Sequence, residues 1–354
     1  MTRDPALQHE AVLIAVVFNP TKVTQAKLEP VLQRVLDTLE SEVELRWYET
    51  DAASCGRQQT RQAIADGADS LLVAGGDGTV RAVAGELAGS TIPLGLLPVG
   101  SGNLLARNLG LPLSLPAAAS VAIAGQRRGV DVGLVELRRG GGETERHSFL
   151  VMAGLGLDAE MIANTNPTLK RRFGWIAYID GGIRSLKNLR QVQLAYRIGN
   201  RKERSITVHS LLIGNCGLLP ANVQLMPGAL IDDGVLDIVA MRPKGATGWL
   251  RLIGAMLLRG LFSSKRVSPA GQRITNEDGE VRTLRHWRAR GMLVRSAVPV
   301  AFELDGECLG TVVELRTWLQ PRALTVRTGS GDLAALTPLP VLQQSGPAAS
   351  RALR

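Results

Sequence analysis

Four short stretches carry the residue types that could do chemistry. Gly75-Gly76-Asp77-Gly78-Thr79 wraps glycines around one aspartate and ends in a hydroxyl, and Gly100-Ser101-Gly102-Asn103 is a second glycine turn. Asp232-Asp233-Gly234 and Asp305-Gly306-Glu307 are acidic turns. Glycine adopts backbone angles other residues avoid, and it lets a ligand approach the main chain. Each glycine turn follows an apolar run and enters a helix-compatible segment, whose first N–H groups make an anion site. Phosphoryl transfer asks for such equipment: donors for phosphate oxygens, a divalent metal, and a carboxylate to take a hydroxyl proton. The backbone of Gly76, Asp77, Gly78 and Thr79, with the hydroxyls of Thr79 and Ser101, could supply the donors. Asp305 and Glu307 could share a water or proton, one carboxyl raising the pKa of the other. Locally, a hairpin turn explains Asp305-Gly306 better, since Asp-Gly is the commonest hairpin signal. An Asp-Gly turn is likewise the better local reading of residues 232–234, and a plain strand-turn-helix corner competes at residues 75–79. The first loop is neither a Walker A loop nor G-x-G-x-x-G.

The elements that would position these residues follow a regular beat. Residues 12–18 are an apolar run suited to a central parallel strand. Leu28, Val31, Leu32, Val35, Leu36 and Leu39 fall at helical spacing, and Val43, Leu45 and Trp47 alternate as a strand does. A helix is expected over 57–65, stopped by Gly67, before the strand that leads into Gly75. This predicts an α/β domain with a parallel sheet, helices on both faces, and ligands at the carboxyl ends of the strands. Near residue 126 the beat changes to strand alternation, which predicts a second, mainly antiparallel β domain. Gly140-Gly141-Gly142 reads as a hairpin tip. Helical insertions are expected over 175–189 and 247–262, and a Pro-, Ser-, Gly- and Ala-rich disordered tail over 329–354.

Composition narrows the partners. The chain has 354 residues, which favours two domains. Its formal net charge of +9 suits an anionic partner such as a nucleotide or a membrane surface. Aromatic content of 4% argues against stacking on single-stranded nucleic acid, and no nucleic-acid partner is expected. Cys55, Cys216 and Cys308 fit no zinc or disulfide pattern. His9, His147, His209 and His286 have no metal spacing, and no G-x-S-x-G supports a hydrolase. The polar start is no signal peptide, and no apolar run reaches the ~20 residues of a membrane-spanning helix. A cytoplasmic protein, at most peripheral to a membrane, is expected.

In this order, Asn19-Pro20, the two glycine turns, Asp-Asp-Gly and Asp-Gly-Glu resemble the diacylglycerol kinase catalytic-domain superfamily, in its bacterial lipid kinase branch. The resemblance covers about residues 11–328. It implies the NAD kinase/diacylglycerol kinase-like fold: residues 1–125 as the nucleotide domain, completed by 318–328, and 126–317 as the lipid-substrate domain. It implies ATP as donor and Mg2+. It adds Asn19, Pro20, Thr21, Lys22 and Thr50 to a nucleotide site formed by Gly75, Gly76, Asp77, Gly78, Thr79, Ser101, Gly102 and Asn103. It makes Glu307 with Asp305 the general base, and it implies a structural magnesium held by Asp233 and the carbonyls of Leu230 and Val235. Diacylglycerol becomes the default substrate. The family pattern is broken at Ala82, where Glu86 one turn later could reach a similar side of the helix, and at Leu104. An NAD kinase-like enzyme with a soluble acceptor, or a catalytically impaired nucleotide-binding regulator, are the alternatives. Cations beside Phe173, Trp175, Trp249 and Trp287 suggest a lipid substrate met at an anionic membrane, on its inner face. A homodimer is an open option.

Overall fold

The computed structural model describes residues 12–39, 42–156, 191–219, 223–226, 228–243, 248 and 284–329. The expected insertion at 175–189, nearly all of that at 247–262, the cations at 170–172 and the tail from residue 330 lie outside them. In chain order the elements are β1 (Val12–Phe18), α1 (Gln25–Leu36), β2 (Val43–Glu49), α2 (Arg57–Ala65), β3 (Ser70–Gly75), α3 (Asp77–Leu87), β4 (Leu94–Pro98), α4 (Leu104–Asn108) and α5 (Leu115–Ala124). There follow β5 (Gln126–Arg138), β6 (Thr144–Phe149), β7 (Met152–Leu155), β8 (Val192–Ile198), β9 (Arg204–Val208), β10 (Ser210–Gly214), β11 (Leu218–Leu219) and β12 (Val223–Gln224). The last are β13 (Leu236–Met241), β14 (Leu284–Ala289), β15 (Gly291–Leu304) and β16 (Glu307–Thr328).

The first domain is a parallel sheet in the order β2-β1-β3-β4. Strand β1 is apolar throughout and buried from Leu13 to Phe18, because helices cover both faces of a parallel sheet. On α1, Leu28, Leu32 and Leu36 recur every four residues and are the buried ones. Helix α2 ends before Gly67, whose φ of +82° is the left-handed conformation that glycine adopts without strain.

The second domain begins as the beat changes, at β5. Strands β5 and β6 form a hairpin over Gly140–Gly142, and β7, β10, β13, β14 and β15 pair antiparallel. The long strand β16 belongs to both halves. Its first part pairs antiparallel with β15, its length follows β5, and Val326 lies parallel beside Leu94 of β4. One hydrogen-bonded sheet therefore runs through the molecule.

A buried carboxylate organises the bend in β16. The register with β5 slips between Gln320 and Leu324, where Arg322 has a φ of +48°. Asp131 of β5 has no exposure, and its Oδ1 accepts the Arg322 N–H at 2.7 Å. Its Oδ2 accepts the Gly234 N–H at 2.7 Å, and its own N–H donates to the Ile231 carbonyl at 2.7 Å. One aspartate thus joins the bulge to the 231–234 loop. Replacing Asp131 with alanine strands both donors, at about 1–3 kcal/mol each. Urea unfolding of Asp131→Ala should show a loss of about 2–5 kcal/mol, and a loss below about 0.5 kcal/mol would mean the carboxylate holds nothing.

Candidate active site

The carboxyl ends of the parallel strands bring most of the expected nucleotide residues to one edge. Asn19 follows β1 and donates its N–H to the Ala74 carbonyl on β3 at 2.8 Å. Its Oδ1 accepts the N–H and hydroxyl of Thr21 at 2.9 and 2.7 Å, closing a small polar turn that leaves Thr21 and Lys22 exposed and Pro20 half-buried. Thr50 follows β2 and donates its N–H to Phe18 at 2.9 Å.

The two glycine loops interlock. Gly75 must lack a side chain, because a Cβ there would lie 2.6 Å from Thr79 Cβ. Gly76 caps α3 and, having no side chain, makes no cap bond to the first-turn N–H groups, and a Cβ there would meet nothing within 4 Å. Over Gly76, at a helix N-terminus, there is open space of the kind a phosphate fills. Gly100 sits so close that its Cβ would lie 2.9 Å from Gly76 Cα, and that of Gly102 would lie 2.4 Å from Asp77 Oδ2. Asn103, at φ +49°, ties the second loop by accepting the Gly100 N–H at 2.9 Å and donating to its carbonyl at 2.7 Å. Ser101 is exposed on that loop. Thr79 is buried, its methyl packed near Gly56 together with that of the buried Thr50, and its hydroxyl lies on the side of Gly75.

Asp77 Oδ1 accepts the Leu104 N–H at 2.6 Å. Its carboxyl is pushed up to about 6, first by burial and then by the charge of Asp305, while the Leu104 N–H pulls it down. The apolar Leu104 therefore contributes through its backbone, and its side chain is buried. Glu86 does not substitute at Ala82: its carboxylate is bonded to Arg61 at 2.7 and 3.0 Å.

The acidic turn is a hairpin and also a wall of the site. Leu304 pairs with Glu307, and Asp305 and Gly306 at φ +48° and +83° make the two-residue turn that Asp-Gly favours. The two carboxylates do not share one environment. Asp305 is buried, and its oxygens accept N–H groups of Leu150, Val151 and Met152 at 3.0, 2.9 and 2.9 Å. Burial raises this carboxyl, while the Arg81 charge and those donors oppose the shift. Glu307 is accessible, with its side chain 52% exposed. A Cβ at Gly78 would lie 3.2 Å from Glu307 Oε2, so this carboxylate borders the phosphate loop.

Residues with no sequence signal complete the region. Arg81 of α3 is buried, donates to the Leu304 carbonyl at 2.7 Å and pairs with Glu307. Glu303 of β15 lies against Gly154, its carboxyl pushed up to about 7 by burial and by Asp305. Only the tertiary packing reveals these, because their partners are far away in sequence.

The loop expected to hold magnesium is arranged differently. Asp233 Oδ1 accepts the Val235 N–H at 3.1 Å, and Oδ2 pairs with Arg288. Leu230 is exposed. The Asp233 carboxyl is raised, chiefly by burial. Each oxygen thus already serves a protein partner, and an ion at Asp233 would have to displace Arg288 from Oδ2. Among the described residues no group of three or more His, Cys, Asp and Glu is arranged to hold an ion.

A parallel nucleotide sheet with glycine loops at its carboxyl edge, continued by one strand into an antiparallel sheet that supplies an acidic turn, defines a two-domain kinase fold. The sequence profile of the diacylglycerol kinase catalytic domain matches residues 13–135, and that of the YegS C-terminal NAD kinase beta sandwich-like domain matches residues 150–328. A Pseudomonas fluorescens protein named probable lipid kinase YegS-like is 35% identical over 235 residues, 64% of this chain and 72% of that one. A Mycobacterium tuberculosis diacylglycerol kinase is 31% identical over 191 residues, 54% of this chain and 60% of that one. A crystal structure of a Bacillus anthracis diacylglycerol kinase superposes with a TM-score of 0.66 at 19% identity, covering 90% of this chain and 97% of that one, which shows the shared fold. The chain belongs to the diacylglycerol kinase catalytic-domain superfamily, in its bacterial YegS-like branch, and is a kinase.

The raised Asp77 carboxyl makes a signed prediction. An unfolded aspartate titrates near ~3.9, and the folded one near about 6. The folded state keeps the proton longer, so this group's contribution to stability falls as pH rises through that window. The full cost of about 1–3 kcal/mol remains above it. The difference in Tm, Asp77→Asn minus parent, should grow between about pH 4.5 and about pH 7. A flat difference would make Asp77 an ordinary carboxylate.

Proposed function

We propose that the protein transfers the γ-phosphoryl group of ATP to a lipid hydroxyl, with diacylglycerol as the substrate and phosphatidic acid and ADP as products. The observation that carries this reading is the approach of Glu307 to the phosphate loop at Gly78, beside open space over Gly76. The loop N–H groups and the α3 N-terminus would hold the phosphates. The lipid hydroxyl oxygen attacks the γ-phosphorus, the bond to the β–γ bridging oxygen breaks, and the hydroxyl proton passes to Glu307. Asp305 holds the turn from behind. A magnesium ion carried by the nucleotide would neutralise charge on the phosphate oxygens, and Asp77 and Glu307 are the carboxylates beside the loop that could meet it. The backbone bond from Leu104 to Asp77 supports an active enzyme over an impaired regulator.

Turnover of diacylglycerol in mixed micelles with labelled ATP tests the reading. Glu307→Gln should lower turnover ~10²–10⁴-fold with ATP affinity retained. Near-native turnover in that variant would refute it, and turnover of NAD but no lipid would favour a soluble acceptor.

The lipid must be met at a surface. Among the described residues no helix is long and apolar enough to cross a membrane. Near the surface, half-buried Trp287 packs on Tyr196 with ring centroids 5.4 Å apart, and His286 and Arg288 pair with Asp237 and Asp233. The net charge of +9 still favours reversible binding to an anionic bilayer. Flotation with anionic vesicles at low salt should carry the protein upward, and high salt should release it. Indifference to such vesicles would end the peripheral-membrane reading.

A further inference from the structure

Arg81 is a buried cation, and among the described residues its guanidinium bonds only to the other domain. It stands one helical turn after Asp77 on α3, the helix whose first residues form the phosphate loop. Its residue exposure is 8%, a costly place for a charge without partners. One guanidinium nitrogen donates to the Leu304 carbonyl at 2.7 Å, just before the acidic turn, and the other pairs with Glu307, just after it. Its charge also reaches Asp305. One planar fork therefore grips both arms of the hairpin that carries the proton acceptor.

We propose that Arg81 is a positioning residue, which docks the acidic turn on the phosphate-loop helix and sets where Glu307 meets the substrate hydroxyl. The inference rests on the reading of Glu307 as the base. Glu307 sits at a hairpin tip with half its side chain in solvent, and without Arg81 it would sample several rotamers. Misplacing a reacting group by about 1 Å costs on the order of 10²-fold in rate. The fork geometry, and not charge alone, makes the difference, because two N–H groups held in a plane fix two acceptors at once.

The experiment is a double-mutant cycle on steady-state turnover of dioleoylglycerol in mixed micelles. Arg81→Gln should lower kcat about 10–100-fold with KM for ATP changed less than about threefold. Arg81→Lys should recover part of the loss, having the charge without the fork. In the Glu307→Gln background, Arg81→Gln should cost less than about twofold more, because the two residues act as one unit. A parent-level kcat in Arg81→Gln, or an equal loss in both backgrounds, would overturn the proposal while leaving an inactive Glu307→Gln to support the base. A fully active Glu307→Gln would instead remove the base assignment and this inference with it. If Arg81→Gln does not fold, Arg81→Lys decides: lowered kcat at constant KM supports positioning, and parent kcat overturns it.

Discussion

Asp305 imposes the constraint on which the active region depends. A carboxylate taken out of water must find donors or give up its charge. Here the donors are consecutive backbone N–H groups of residues 150–152, at the entry to β7. The side chain reaches them because Asp305 occupies the left-handed region within a two-residue turn. The need to satisfy one buried carboxylate thereby fixes the hairpin against the segment leading into β7. Glu307 then falls on the side that borders the phosphate loop, and solvent remains open to it.

The same logic recurs at Asp131, whose oxygens join the β16 bulge to the 231–234 loop. Both aspartates bind main-chain N–H groups, so each fixes a backbone conformation. Strand β16 benefits from both: one end leaves the acidic turn and the other lies beside β4. The nucleotide edge and the acidic turn are held in one hydrogen-bonded framework rather than on two separately anchored bodies.

Electrostatics around the loop is balanced locally. Asp77, Asp305 and Glu303 are all raised chiefly by burial, and the charge of Asp305 adds to the effect at Asp77 and Glu303. Arg81 is the buried cation set against them.

Much of this was legible in the chain because the signals are local. The apolar runs ending in Gly75 and Pro98, the helical spacing of Leu28, Leu32 and Leu36, and the Gly67 stop determine elements through nearest-neighbour rules, and the change of beat near residue 126 marks the start of β5. Glycines at 75, 100 and 102 were readable as loop formers, although the reason that 100 and 102 must be glycine is an atom of the other loop, and at 75 it is Thr79 four residues on. Asp305-Gly306 was readable as a hairpin, and it is one. Only the tertiary structure decided that its carboxylates separate into a buried support and an accessible group, that the Thr79 methyl packs toward Gly56, and that Asp233 faces Arg288. The physical reason is the same in each case. Burial and hydrogen-bond partnership depend on contacts between residues such as Arg81 and Glu307, 226 positions apart, and no local pattern of residue types specifies which distant atoms will meet.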